Sequence, residues 1–83
     1  MGKPAFSAFH EASDILGRVE GDHVATALRL CPDPAAFEGP HFVVVRAGRL
    51  GRVRIRCERM RSRARSVWYW HATRAVQLVQ GGR

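Results

Sequence analysis

The chain has no asparagine, one tyrosine and one lysine: Lys3 stands alone beside thirteen arginines in 83 residues. Cysteine is scarce too. Cys31 and Cys57 are too few and too far apart for the disulfide framework of a small secreted domain, which fits a reducing compartment. No apolar run approaches the ~18 residues of a membrane span. The stretch from Met1 to Glu11 carries no continuous apolar h-region, so the expectation is a cytoplasmic protein that makes no membrane contact. Hydrophobic residues still make up 46% of the chain, too many for a wholly disordered tail. A chain this short buries roughly 60–65% of its unfolded surface. One small domain over residues 1–83 is therefore expected, with a core thin enough for a partner, or a second copy in a homodimer, to supplement.

What is abundant is arginine, and it is unevenly placed. Residues 1–42 hold three basic and six acidic side chains, whereas residues 43–83 hold eleven arginines against Glu58 alone. The halves thus carry −3 and +10, and the whole chain +7. Eleven alanines, two isoleucines and the near absence of lysine point to a GC-rich coding background that supplies arginine freely. Such a bias does not empty one half of basic residues, so the clustering implies a positive surface that attracts polyanions. Composition and size suit a bacterial, phage or plasmid accessory protein.

Ala5, Ala8, Phe9, Ala12, Leu16 and Val19 fall at three- and four-residue steps and predict an amphipathic helix from Pro4 to Val19. Val24, Ala27, Leu28 and Cys31 make a second helical stripe with Asp22 as N-cap, although Val24, Thr26, Leu28 and Leu30 also alternate as a strand would. Asp33, Pro34 and Gly39 mark a one-turn helix, with Phe37 pinning it to the core. From His41 the period becomes two. Phe42 to Arg46 reads as a buried strand, and Ala47 to Gly51 as a short loop whose glycines take positive φ. Arg52 to Cys57 then alternates strictly, placing Val53, Ile55 and Cys57 on the core face and Arg52, Arg54 and Arg56 on the other.

Beyond Cys57 the arginines move to positions 59, 61, 63 and 65. That predicts a bulge or turn near 58–61, where the strand would change faces, with a helix through 53–71 as the competing reading. Val67 to His71 reads as a strand carrying Trp68, Trp70 and Ala72 on one face and Val67, Tyr69, His71 and Thr73 on the other. Ala75 to Val79 continues it or follows it, and Gly81 to Arg83 is a frayed end. The fold class that results is α+β: an N-terminal helix, or two, packed on a small antiparallel sheet of three to four strands.

Arg46, Arg49, Arg52, Arg54 and Arg56, followed by Arg59, Arg61, Arg63 and Arg65, form a ladder whose alternate members stand about 6.5–7 Å apart along a strand. Guanidinium forks take phosphate oxygens in pairs, which lysine cannot reproduce. Six such contacts would give log K a slope of about −4 to −5 against log salt. The plainer reading is a solvated outer face whose charge blocks edge pairing. Next to the ladder, Trp68-Tyr69-Trp70-His71 offers rings on which bases stack. With at least one Trp needed for the core, Tyr69 and His71 are the expected contacts. His10, His23, His41, His71 and the two cysteines show no metal-ligand spacing, so no metal or cofactor is expected and both Cys read as small apolar residues. Residues 5–31 are acidic on balance, which argues against a helix-turn-helix there.

The expected function is non-catalytic binding of nucleic acid, DNA or RNA, or of a ribonucleoprotein, through those eleven residues. A second reading is a protein-binding regulator, such as a small phage- or plasmid-encoded inhibitor of a host nucleic-acid-processing complex, docking its cationic face on an acidic protein surface. A third follows from His71 or Tyr69 as a general base with Arg61 or Arg65 stabilising phosphorane charge. In that respect the helix–helix–sheet order, size and charge resemble the RelE-type toxin ribonucleases, which implies RNA cleavage. None of that family's diagnostic motifs is present, and its N-terminal strand is missing.

Overall fold

The computed structural model describes residues 13–79. Most of the helix expected over Pro4–Val19 lies outside those residues, as does the end at 81–83. Its described part is not α-helical: Ser13 to Ile15 is irregular and Leu16–Arg18 forms a 3-10 turn. The backbone there has a better partner. The Ile15 N–H donates to the Ala75 carbonyl at 2.8 Å, and Asp14 Oδ1 accepts from the N–H groups of Leu16 and Ala75, both at 3.0 Å. This strap delivers Ile15 and Val19 to the core without a helix.

The same two hydrogen bonds, from Ala75 first and then Leu16, hold the Asp14 carboxyl below its ordinary value, and Arg74 adds to the effect. A lowered pKa in the folded state stabilises above the ordinary carboxylate range and is lost as pH falls through the lowered value. Asp14→Ala is therefore expected to lower the thermal midpoint at neutral pH and to flatten its further fall below about pH 4. Circular dichroism melts across a pH series check this. Identical acid sensitivity in the two proteins would remove Asp14 from that role.

Gly21–Arg29 forms helix α1. Ala27 is fully buried and Val24, Leu28 and Cys31 pack against the core, the stripe anticipated from spacing. Its cap is Glu20 rather than Asp22, which sits in the first turn, where a carboxylate faces the positive end of the helix; Arg29 complements the other end. The one-turn helix expected at 33–39 is only a turn. Asp33 does cap it, its Oδ1 accepting from the Ala35 N–H and its carbonyl from the Ala36 N–H, each at 3.0 Å. The chain then departs to reach Trp70, and Phe37 stays exposed instead of entering the core.

Three strands follow as an antiparallel meander in the order β1-β2-β3: β1 (His41–Arg46), β2 (Arg52–Ser62) and β3 (Val67–Gln77). A 3-10 turn at Gly48–Leu50 joins β1 to β2, with Gly48 at φ 56° and Gly51 at φ 73° supplying the expected positive φ. On one face of the sheet, Val43, Val45, Val53, Ile55, Cys57, Trp70 and Ala75 pack with Ile15, Val19 and Ala27 as a single cluster. The molecule is thus α+β with its helix N-terminal to a three-stranded sheet. Among the described residues no helix is long and apolar enough to cross a membrane.

Two expectations about the sheet are corrected. β1 is not buried on both sides: Phe42 and Val44 are each 48% exposed, because it is an edge strand with one face open. Nor does β2 change faces near 58–61, and no helix runs through 53–71; β2 continues unbroken to Ser62. The irregularity lies across the ladder. Arg56 pairs with Arg74 but Cys57 pairs with Ala72, which leaves Thr73 as an extra residue in β3. Its hydroxyl donates to the Arg56 carbonyl at 3.3 Å and reaches Glu58 Oε2 at 3.4 Å. That insertion is why Trp70, Ala72 and Ala75 all stand on the core side.

Candidate nucleic-acid interface

Residues directly opposed in antiparallel pairs share a face, so the register defines the open side of the sheet row by row. One row is Phe42–Arg56–Arg74 and the next is Val44–Arg54–Val76, with Arg46–Arg52 beyond them. In the other direction come Glu58–His71, Met60–Tyr69 and Ser62–Val67. Five arginines (46, 52, 54, 56 and 74) therefore share this face, where Glu58 is the one carboxylate among the described strand residues; Arg74 also lies within reach of the Asp14 carboxylate. Arg52, Arg54 and Arg56 follow one another at about 6.6 Å along β2. Arg56 is partly committed: its Nη2 lies 3.0 Å from Glu58 Oε2. Arg54 reaches over Phe42, its guanidinium carbon 5.0 Å from the ring centroid. Around Phe42 and Val76, Arg54, Arg56 and Arg74 wall a shallow depression of about 240 Å³.

The single arginine face expected from the sequence is not what forms. Arg46, Arg52, Arg54 and Arg56 do share it, but Arg49 sits in the β1–β2 turn. Arg59 and Arg61 continue the alternation of Val53, Ile55 and Cys57 and so stand on the opposite side, paired in register with Trp70 and Trp68. There Arg59 caps the Trp68 ring at 4.0 Å and its Nη1 donates to the Pro34 carbonyl at 2.6 Å, a structural role. Arg61 approaches the same ring at 5.6 Å. Arg63 and Arg65 lie in the exposed β2–β3 turn. Of the aromatic cluster, Trp70 is the core member. It is only 8% exposed, and its Nε1–H donates to the Pro32 carbonyl at 2.6 Å.

Tyr69 and His71 fall on the open face as expected, Tyr69 exposed at 44% beside Met60 at 42% and His71 half-buried opposite Glu58. Arg61 stands on the other side of the ribbon from them, and Arg65 lies in the β2–β3 turn. Sequence reasoning missed Phe42, Val44, Met60 and Arg74. The register brings them to this face, and only the edge position of β1 reveals Phe42 as exposed.

Spacing also gave no sign of two clusters that form in space. Glu20, Asp22 and His23 bring ligand atoms within 4.8 Å of one another at the start of α1, largely exposed, and Glu20 and His23 line a depression with Arg49 of the β1–β2 turn. Cys31 and Cys57 come together through a side-chain hydrogen bond, and burial first, then that neighbour, push the Cys57 thiol up to about 12. Both cysteines are free, and Cys57 behaves as a small apolar core residue. The chain matches no family model, no curated protein and no solved structure.

Proposed function

We propose that this protein binds nucleic acid, free or within a ribonucleoprotein, without catalysing a reaction, through the open face of its sheet. The observation that carries the reading is the sharing of one sheet face by Arg46, Arg52, Arg54 and Arg56 with, among the described strand residues, a single carboxylate. A solvated face blunts its edges with charges of mixed sign; here one sign prevails over two strands. If Arg46, Arg52, Arg54 and Arg56 each neutralise a phosphate, log K falls with log salt at a slope of about −3 to −3.5. Fluorescence anisotropy with a labelled oligonucleotide from low to moderate salt measures that slope. A slope near zero, or no binding at low salt, overturns the reading.

A second reading, a regulator docking on an acidic protein, draws support from Phe42, Val44, Met60 and Tyr69, exposed apolar groups of the kind that anchor protein interfaces. Such an interface tolerates salt, so the same titration separates the two.

A further inference from the structure

We infer that the polynucleotide this face takes is unpaired, with bases stacking on Phe42 and Tyr69. The inference rests on the nucleic-acid reading above and narrows its ligand. A duplex turns its phosphates and groove edges outward and keeps its base faces stacked inside, so an exposed ring on a flat sheet meets nothing to stack on. An unpaired strand presents base faces, for which aromatic rings and guanidinium planes are the complementary surfaces. Both kinds of surface are present here. Phe42 stands half-exposed at the β1 edge with the Arg54 guanidinium against it, and Tyr69 stands half-exposed on β3 with Met60 opposite.

The two rings are not neighbours. Phe42 is level with Arg56 and Tyr69 with Met60, four residues further along β2 and on its other side. The separation is about 16 Å on the diagonal. A strand laid along that diagonal places one base on each ring, and at its Phe42 end its backbone meets the guanidinium groups of Arg54 and Arg56. Glu58, midway between the rings in register and held by Arg56 and Thr73, repels phosphate and accepts hydrogen bonds, so a base edge faces it.

The test uses the full chain and labelled oligonucleotides of about twelve residues: oligo(U), oligo(dT) and a duplex of equal length. Either single strand binding at least about tenfold more tightly than the duplex supports the inference. Phe42→Leu and Tyr69→Leu are each expected to weaken single-strand binding by about five- to hundredfold, with little change for duplex, whereas Phe42→Tyr and Tyr69→Phe retain it. Circular dichroism of each variant confirms the fold. Duplex binding as tight as single-strand binding, with both leucine variants unaffected, overturns this inference and leaves the nucleic-acid reading standing. Failure of all three oligonucleotides to bind at low salt overturns that reading itself.

Discussion

Glutamine at Arg46, Arg52 and Arg54 together is expected to weaken oligonucleotide binding by about 100-fold or more while leaving the thermal midpoint nearly unchanged. The three side chains are exposed on the open face, and none of them belongs to the core. Glutamine keeps much of the aliphatic stem, which covers apolar neighbours, and removes only the charge. Charge-assisted bonds to phosphate contribute about 1.5–3 kcal/mol each when well formed, so about 1 kcal/mol from each of the three residues already gives the stated loss. The salt slope should fall by about 2 to 3 at the same time, one increment per lost phosphate. Arg56 is left in place because its removal would strip Glu58 of its partner and confound charge with repulsion. A triple variant that binds like the parent protein would place the interaction elsewhere.

Trp70→Ala is expected to destabilise by about 3–5 kcal/mol, most of what a domain of this size possesses. The indole fills the space between β3 and the segment from Pro32 to His41. Its N–H satisfies the Pro32 carbonyl, and Phe37 and His41 lie against its ring at 6.2 and 6.0 Å between centroids. Gly39 leaves room for the ring as well: a Cβ there would lie 2.9 Å from Trp70 Cζ3, at a φ of 74° that disfavours side chains in any case. Trp70→Phe keeps part of the packing but orphans the carbonyl, so it should cost less than alanine and more than nothing. Urea melts give the comparison. Stability within about 1 kcal/mol of the parent for Trp70→Ala would show that the Pro32–His41 segment is held by other contacts.

Much of the fold was legible because two signals are local. The stripe of Val24, Ala27, Leu28 and Cys31 fixes α1, and the alternation of Val53, Ile55 and Cys57 between Gly48–Gly51 and the arginines fixes the hairpin. What stayed hidden depends on distant partners. Asp14 acts on Ala75, 61 positions away. The uniform run Phe42-Val43-Val44-Val45 conceals which residues are covered, since that follows from β1 lying at the sheet edge. The arginines at 59 and 61 suggested a change of face because charge was assumed to face water. The strand instead keeps its alternation, and Trp68 receives their guanidinium groups on the core side of the sheet. Nothing in a threonine between alanine and arginine announces a bulge.

That bulge works as a parity bit for the aromatic cluster. With Thr73 present, the two indoles share the side of Ala75, while the phenol and the imidazole look outward. Were Thr73 paired in the ladder with Cys57 and not looped out, the setting would be the opposite: Tyr69 and His71 would turn inward, and a broad pair of tryptophans would form the outer surface. The choice between a sparse hydrogen-bonding platform and a wide greasy one thus hangs on whether a single residue is looped out of the ladder. Such a change is all-or-none, because a pleated strand offers only two sides.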